Sequence, residues 1–268
     1  MRQFGPYECR TRAVRLTRVH VAAALCSGGV LELPAAAAAH LTKVLRARSG
    51  DELILFTGDG REFAGVIESI RGSRVTVAVG GAHGVDRESP LAVTLVQCVP
   101  RGDRMDFIVQ KATELGVARI VPVLSQRSVV RLDPAQAESK AAHWRAVAVN
   151  ACEQCGRNRL PVIEAPCQLI RYLGDSYGRS SARSDVPSDA NGPRLLLEPD
   201  LGSSGDTLAV RAAVDIAIGP EGGFTAEEIE TFRACGFRTV RLGPRVLRTE
   251  TAALAAIAWL QSRFGDLR

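Results

Sequence analysis

The sequence contains no apolar run that approaches the roughly 18 residues of a membrane-spanning helix. The nearest candidate, 252–260, covers nine residues at the end of a helical pattern. A secretory signal is also disfavoured, because the apolar segment 19–25 is at the lower limit for a signal core and includes a histidine. These absences argue against a membrane protein and against an exported one.

The seven cysteines show no paired spacing. Cys152 and Cys155 form a single Cys-x-x-Cys, and no second pair lies nearby to complete a zinc site. Both fall in a long helical pattern, where residues three apart share a face. We therefore predict that they pack in the structure and that the protein has no metal site. Unpaired thiols fit a reducing cytoplasm.

The net charge of +5 is unevenly distributed. Residues 1–50 contain eight Lys/Arg and two acids, whereas the rest of the chain contains 26 and 27. A basic N-terminal part suggests an acidic partner such as nucleic acid. The alternative is a solvated basic face without function.

The pattern of apolar residues changes near residue 89 and divides the chain into two parts. Short β-rich segments at 15–21, 30–33, 52–56, 62–70 and 74–79, with one helix at 35–47, predict a small β-barrel. Beyond residue 89, apolar strands alternate with helical patterns, which predicts a mostly parallel sheet covered by helices on both faces. We predict that Asp103 caps one of these helices and that Thr225 and Glu228 form a capping box at the start of another. We predict a disordered extension over 1–13, a β-barrel over 14–88 and an α/β domain over 89–268, with a mobile polar loop at 177–193.

Two Gly/Pro-rich loops, 218–224 and 242–252, each follow a strand and precede a helix. Loops at this edge of a parallel sheet are where α/β folds bind ligands. Glu221 would repel a phosphate, no Gly-Lys-Ser/Thr follows, and the Gly-x-Gly-x-x-Gly spacing of dinucleotide-binding folds is absent. A ligand with a positive centre and an adenine ring fits better, although a simple tight turn is the alternative for either loop.

The chain resembles the RsmE family of ribosomal small-subunit RNA methyltransferases, which belongs to the SPOUT class. The resemblance runs from about residue 15 to 260 and rests on ordered segments. These are Ala39–Arg46, Arg104–Val117, Ser125–Ser128, Glu153–Arg157 and the two loops.

The resemblance implies a PUA-like β-barrel that binds RNA, followed by an α/β methyltransferase domain with a deep trefoil knot. It implies S-adenosyl-L-methionine as cofactor and methylation of uridine N3 in 16S rRNA of the small ribosomal subunit. It also implies a homodimer. Two alternatives are a non-catalytic RNA-binding protein with a SPOUT fold and a dinucleotide-dependent oxidoreductase, which the missing fingerprint disfavours.

The resemblance places the cofactor on three strand-end loops. The implied residues are Leu197 and Glu198; Ile218, Gly219, Pro220, Glu221 and Gly222; and Leu242, Gly243 and Leu247.

Uracil N3 is a poor nucleophile until it loses its proton, so a carboxylate base or a cation near the uracil oxygens would help. Our catalytic candidates are Arg248, Glu250 and Arg127, and a helix-terminal ion pair is the alternative for the first two. The RNA-binding candidates are Arg15, Arg18, Lys43, Arg46, Arg48 and Arg157.

Overall fold

The computed structural model describes residues 16–177, 192–200, 203–204 and 208–267. The predicted extension over 1–13, the RNA-binding candidate Arg15 and most of the predicted loop at 177–193 lie outside these residues.

The chain divides into two compact units. The N-terminal unit comprises the chain up to Glu88 together with Cys152–Leu160, and the α/β unit comprises Ser89–Ala151 and Pro161 onwards. The sequence pattern instead assigns 152–160 to the α/β domain. This segment belongs to the N-terminal unit because its contacts are with residues far away in sequence, which no local pattern reveals.

The N-terminal unit contains a five-stranded sheet in the order β1-β3-β4-β5-β2. The strands are β1 (Thr17–His20), β2 (Val30–Glu32), β3 (Glu52–Phe56), β4 (Glu62–Arg71) and β5 (Arg74–His83). Strands β1 and β3 pair in parallel, and the other pairs are antiparallel. The predicted helix splits into α1 (Ala35–Ala39) and a π-helical turn at His40–Val44.

Period-two alternation buries one face of this sheet. Leu53 and Leu55 of β3 and Val75 and Val77 of β5 form a core with Leu41 of the π-helical turn.

The α/β unit contains a sheet in the order β11-β13-β10-β12-β6-β7-β8, with β9 beside β7. Its strands are β6 (Ala92–Cys98), β7 (Val117–Leu124), β8 (Val162–Ile163), β9 (Cys167–Gln168), β10 (Arg194–Leu197), β11 (Ser203–Ser204), β12 (Ala213–Ile218) and β13 (Phe237–Arg241). Every strand pairing in this sheet is parallel, among the residues that the structure describes. The predicted parallel sheet is confirmed.

Helices cover both faces of this sheet. They are α2 (Arg104–Glu114), α3 (Pro134–Cys155), α4 (Leu169–Tyr177), α5 (Ala226–Ala234) and α6 (Thr249–Phe264). Leu95 packs in a core with α2, α3 and α6, whereas the next residue, Val96, packs in a second core with α4 and α5. Successive residues of β6 point to opposite faces of the sheet and therefore pack in two separate cores.

Local signals set several helix ends. Thr225 and Glu228 form the predicted capping box at the start of α5, each side chain accepting from the other's backbone N–H. Asp103 precedes α2, but its side chain makes no capping hydrogen bond, so the predicted cap is wrong.

Candidate functional site

Three strand-end loops meet because their strands are neighbours. Strand β10 lies between β12 and β13, and Leu197 is aligned with Ile218 on one side and with Val240 on the other. The carboxyl ends of these parallel strands therefore lie at one edge of the sheet. A cavity of about 450 Å³ opens there, within the usual size range of small-molecule sites.

Eight of the ten predicted cofactor residues line this cavity. They are Leu197, Glu198, Ile218, Gly219, Pro220, Glu221, Leu242 and Leu247. Gly222 and Gly243 do not line it. Gly243 instead supplies a turn with φ +75°, a conformation that favours glycine.

Gly219 is favoured by close packing. A Cβ atom at this position would lie 3.2 Å from the Phe224 ring, tighter than ordinary van der Waals contact. Phe224 is buried and closes the same loop, which spans 219–224 and is called the glycine loop below. The glycine loop is thus held against its own aromatic anchor.

Arg127 lies behind the glycine loop. Its Nη1 donates to the Gly222 carbonyl at 3.0 Å and to the Phe224 carbonyl at 3.2 Å, and the residue does not line the cavity. These hydrogen bonds brace the backbone of the glycine loop, and the assignment of Arg127 as a catalytic residue stays a prediction.

Arg104 is a site residue that sequence reasoning missed. It is the first residue of α2 and lines the cavity; its Nη1 lies 2.5 Å from Glu221 Oε1, and its Nε lies 3.9 Å from Glu250 Oε1. Its place in a segment that carries the family resemblance was the available signal. The Arg104 guanidinium therefore forms an ion pair with each of these two carboxylates.

Glu250 lies in the first turn of α6 and not in the third loop, because α6 begins at Thr249. Its Oε2 atom is buried and has no hydrogen-bond partner among the residues described. Arg248 precedes the helix, is exposed and lines the cavity. The salt bridge of Glu250 runs to Arg104, which disfavours the alternative of a pair with Arg248.

Acidic and basic side chains share the cavity. Glu198, Asp200 and Glu221 are the acids, and Arg241, Arg245 and Arg248 join Arg104 as the bases. Burial raises the pKa of the Glu198 carboxyl, and the nearby charge of Asp200 adds to this, against the backbone hydrogen bond at Asp200 and the charge of Arg127. The cavity therefore has acidic groups against which a cationic centre can bind.

Lys43, Arg46 and Arg48 form an exposed group at and just beyond the π-helical turn of the N-terminal unit. Arg46 has φ +53°, an uncommon conformation for a residue other than glycine. This group is called the basic turn below. Its exposure leaves the three cations accessible to an anionic partner.

Arg18 and Arg157 are buried, contrary to their assignment as RNA-binding residues. Arg18 Nη1 donates to Glu62 Oε2 at 2.8 Å, and its guanidinium lies 4.9 Å from the centre of the Phe56 ring. Arg157 Nη2 donates to Glu88 Oε2 at 2.6 Å. Their charge is neutralised inside the N-terminal unit, so these two side chains are not available to phosphates.

Glu62 is the centre of this buried group. Burial acts to raise its pKa, but hydrogen bonds from Arg18, Arg87 and Asn158 outweigh that effect and hold the pKa below its ordinary value. Asn158 donates to Glu62 at 3.1 Å from within the segment 152–160. The ionised carboxylate therefore ties this segment to the strands.

Comparison with known proteins places the chain in a family. Residues 87–261 match the RNA methyltransferase domain model, and residues 33–79 match the RNA methyltransferase PUA domain model. The ribosomal RNA small subunit methyltransferase E of Buchnera aphidicola (subsp. Schizaphis graminum) is 31% identical, covering 94% of this chain and 98% of that protein. The chain belongs to the ribosomal RNA small subunit methyltransferase E family.

Other relatives and solved structures agree. The Bacillus subtilis enzyme is 32% identical and covers 82% of this chain and 84% of its own length. A methyltransferase from Legionella pneumophila, solved with bound SAM, has a TM-score of 0.86 and 38% identity, covering 95% of this chain and all of its own. The Neisseria gonorrhoeae methyltransferase E, solved with S-adenosyl methionine, has a TM-score of 0.84 and 35% identity, covering 94% and 100%.

The cavity fits the cofactor of these relatives. Leu197, Leu242 and Leu247 line the cavity with apolar side chains of the kind against which an adenine ring can pack. Glu198 and Asp200 can face a cationic sulfonium or amine. Separately, no helix in the described parts of the chain is long and apolar enough to cross a membrane.

Proposed function

We propose that this protein methylates N3 of a uridine in 16S rRNA of the small ribosomal subunit, with S-adenosyl-L-methionine as methyl donor. The observation that carries the proposal is the cavity built from three strand-end loops, in a family whose solved members named above hold this cofactor. The cofactor supplies an electrophilic methyl group when it is bound.

The cofactor would be held mainly by the backbone. Leu197, Gly219, Leu242 and Leu247 line the cavity at the ends of β10 and β12 and in the third loop, and their main-chain groups would contact the adenosyl part of the cofactor. The acidic groups Glu198 and Asp200 balance positive charge. Arg127 keeps the glycine loop in place by holding its carbonyls.

Glu250 is our candidate for the proton acceptor. Uracil N3 carries a proton that must leave before the nitrogen can attack, and a carboxylate can take it. Glu250 does not line the cavity and its Oε2 is buried, so this role requires that the carboxylate become accessible when the RNA binds. Arg104, 3.9 Å from the other oxygen, holds the carboxylate in position. Arg248, exposed at the cavity, can stabilise negative charge on the uracil oxygens.

The RNA would be held by two groups of cations. Arg241, Arg245 and Arg248 are exposed at the cavity mouth, and in the described part of the chain no hydrogen bond or ion pair is found for their side chains. The basic turn supplies Lys43, Arg46 and Arg48 in the N-terminal unit. Phosphate contacts would position the strand, and the target base must be unpaired or flipped out because N3 is on its pairing edge.

Further expectations follow from the resemblance. We infer a homodimer, a cytoplasmic location and a deep trefoil knot in the α/β unit. For the domains we retain a PUA-like RNA-binding unit up to residue 88 and a methyltransferase unit from residue 89, with 152–160 added to the first.

The test uses small ribosomal subunits that lack the modification. Incubation with cofactor carrying a labelled methyl group, followed by digestion and mass mapping, should find one labelled uridine methylated at N3. A label on another atom or base would contradict the proposal. Cofactor binding without any methyl transfer would favour the non-catalytic RNA-binding protein.

A further inference from the structure

Gln97 is a polar residue with no exposed surface, near the end of β6. Its Nε2 donates to the Cys98 carbonyl at 2.8 Å and to Thr249 Oγ1 at 3.0 Å. Its Oε1 is buried and has no hydrogen-bond partner within the described ranges. Gln97 does not line the cavity, so it plays no part in the binding scheme above.

Thr249 connects Gln97 to the cavity through a second hydrogen bond. Its hydroxyl donates to the Gly219 carbonyl at 2.7 Å, and both residues line the cavity. A hydroxyl has a single proton. Because Gln97 donates to the oxygen, that proton is left to bond Gly219. The three residues form a directed chain of hydrogen bonds, called the relay below, from β6 through α6 to the glycine loop.

The relay joins two walls of the cavity. Gly219 begins the glycine loop after β12, and Thr249 follows the third loop as the first residue of α6. Loss of the Thr249 hydroxyl would remove the hydrogen bond to the Gly219 carbonyl, which helps to orient this peptide. An amide whose oxygen is left unpaired is a poor means of stabilising a fold, since buried polar groups are normally satisfied. We therefore expect Gln97 to act on the geometry of the two loops rather than on the stability of the fold.

We propose that Gln97 is a positioning residue for the cofactor: through Thr249 it fixes the Gly219 peptide and hence the spacing of the two loops. The proposal deepens the proposed function and rests on S-adenosyl-L-methionine as the ligand. It assigns Gln97 no contact with the cofactor or the RNA. The relay acts only through Thr249, which makes it open to a double-mutant test.

The test measures the Kd of S-adenosyl-L-methionine by calorimetry for Gln97→Met, Thr249→Val and the double variant. Each single variant should raise Kd about tenfold, near 1.4 kcal/mol, and the double variant should raise it no further. Thr249→Ser keeps the hydroxyl and should bind like the wild type. Thermal unfolding without cofactor establishes that each variant folds.

Gln261→Met is the matched control. Gln261 is equally buried in the same unit, but its side chain bonds Ser89 and Gly116 and does not line the cavity. This variant should lower the unfolding midpoint and leave Kd unchanged. An unchanged Kd in Gln97→Met, or effects that add in the double variant, would overturn the relay. Failure of the proposed reaction is seen separately, as absence of methyl transfer by wild-type protein.

Discussion

Arg104 donates to Glu221 across 2.5 Å and so joins the first turn of α2 to the glycine loop. The same guanidinium lies 3.9 Å from Glu250. Two carboxylates from separate segments are therefore held by one cation at the cavity, and the charge balance there depends on Arg104.

Replacing Arg104 should impair catalysis more than folding. Its side chain is 42% exposed, so Arg104→Met should change the free energy of unfolding by less than about 1 kcal/mol. We expect kcat to fall by about tenfold or more, because Glu250 loses the group that orients it. Lys111→Met, which removes a similarly exposed pair with Glu114 on the same helix, is the control and should retain full activity.

Glu250→Gln removes the proposed proton acceptor while keeping the shape of the side chain. We expect kcat to fall by about 10² to 10⁴-fold, with the Kd of the cofactor unchanged. Methyl transfer to unmodified small subunits measures the first quantity, and calorimetry measures the second. Glu227→Gln, in the first turn of α5, serves as the control. Full activity in Glu250→Gln would remove this residue from the mechanism.

Arg18→Leu should destabilise the N-terminal unit. The change leaves Glu62 buried with one fewer cation, and breaking a buried pair costs about 3–5 kcal/mol. Urea unfolding should show this destabilisation, whereas Arg61→Leu, at the exposed pair with Asp59, should cost less than about 1 kcal/mol. Unchanged stability together with weaker RNA binding would restore Arg18 as an RNA contact.

Glu198 should make cofactor affinity depend on pH. Its pKa is raised above 4.5 in the folded protein, so its contribution to stability is present below pH 4.5 and is lost as pH rises through the raised value. Ionised Glu198 attracts the cationic cofactor, and we expect the Kd to fall as pH rises from 4.5 towards neutrality. Glu198→Gln should flatten this titration in calorimetry; a titration that is identical in the variant would exclude Glu198 as its source.

Substitutions in the basic turn should weaken RNA binding alone. Combining Lys43→Gln, Arg46→Gln and Arg48→Gln should raise the Kd for the target RNA and reduce the salt slope by about 0.7–0.9 for each phosphate that is no longer neutralised. Cofactor affinity should not change. Arg171→Gln, on the exposed surface of α4, removes one positive charge and is the control for each of the three single variants. Equal effects in the control would indicate a non-specific role for the basic turn.

The sequence predicted the elements well where local signals decide them. Alternating apolar residues located the strands, and Thr225 with Glu228 marked the start of α5. Both signals depend on residues close together in the chain. The meeting of three loops was implied by the family resemblance, and parallel strands that end at one edge of the sheet explain it.

The failures depend on distant residues. Arg18 looked like a surface cation because its partner Glu62 lies 44 residues away. Gln97 gave no signal, because its partner Thr249 lies 152 residues away. The hydrogen bond from Arg127 to the glycine loop gave no signal either, because Gly222 lies 95 residues later.

The membership of Cys152–Leu160 in the N-terminal unit bears on the order of events during synthesis. When the growing chain has emerged from the ribosome only as far as residue 88, Arg157 and Asn158 have not yet been made. Arg18, Glu62 and Glu88 therefore emerge with some of their hydrogen-bond partners missing. This unit cannot reach its final form until residue 160 has been made, when residues 89–151 of the other unit are already translated. We therefore expect the two units to complete folding together. The N-terminal unit cannot be exchanged by cutting the gene at a single point, because it consists of two separate chain segments.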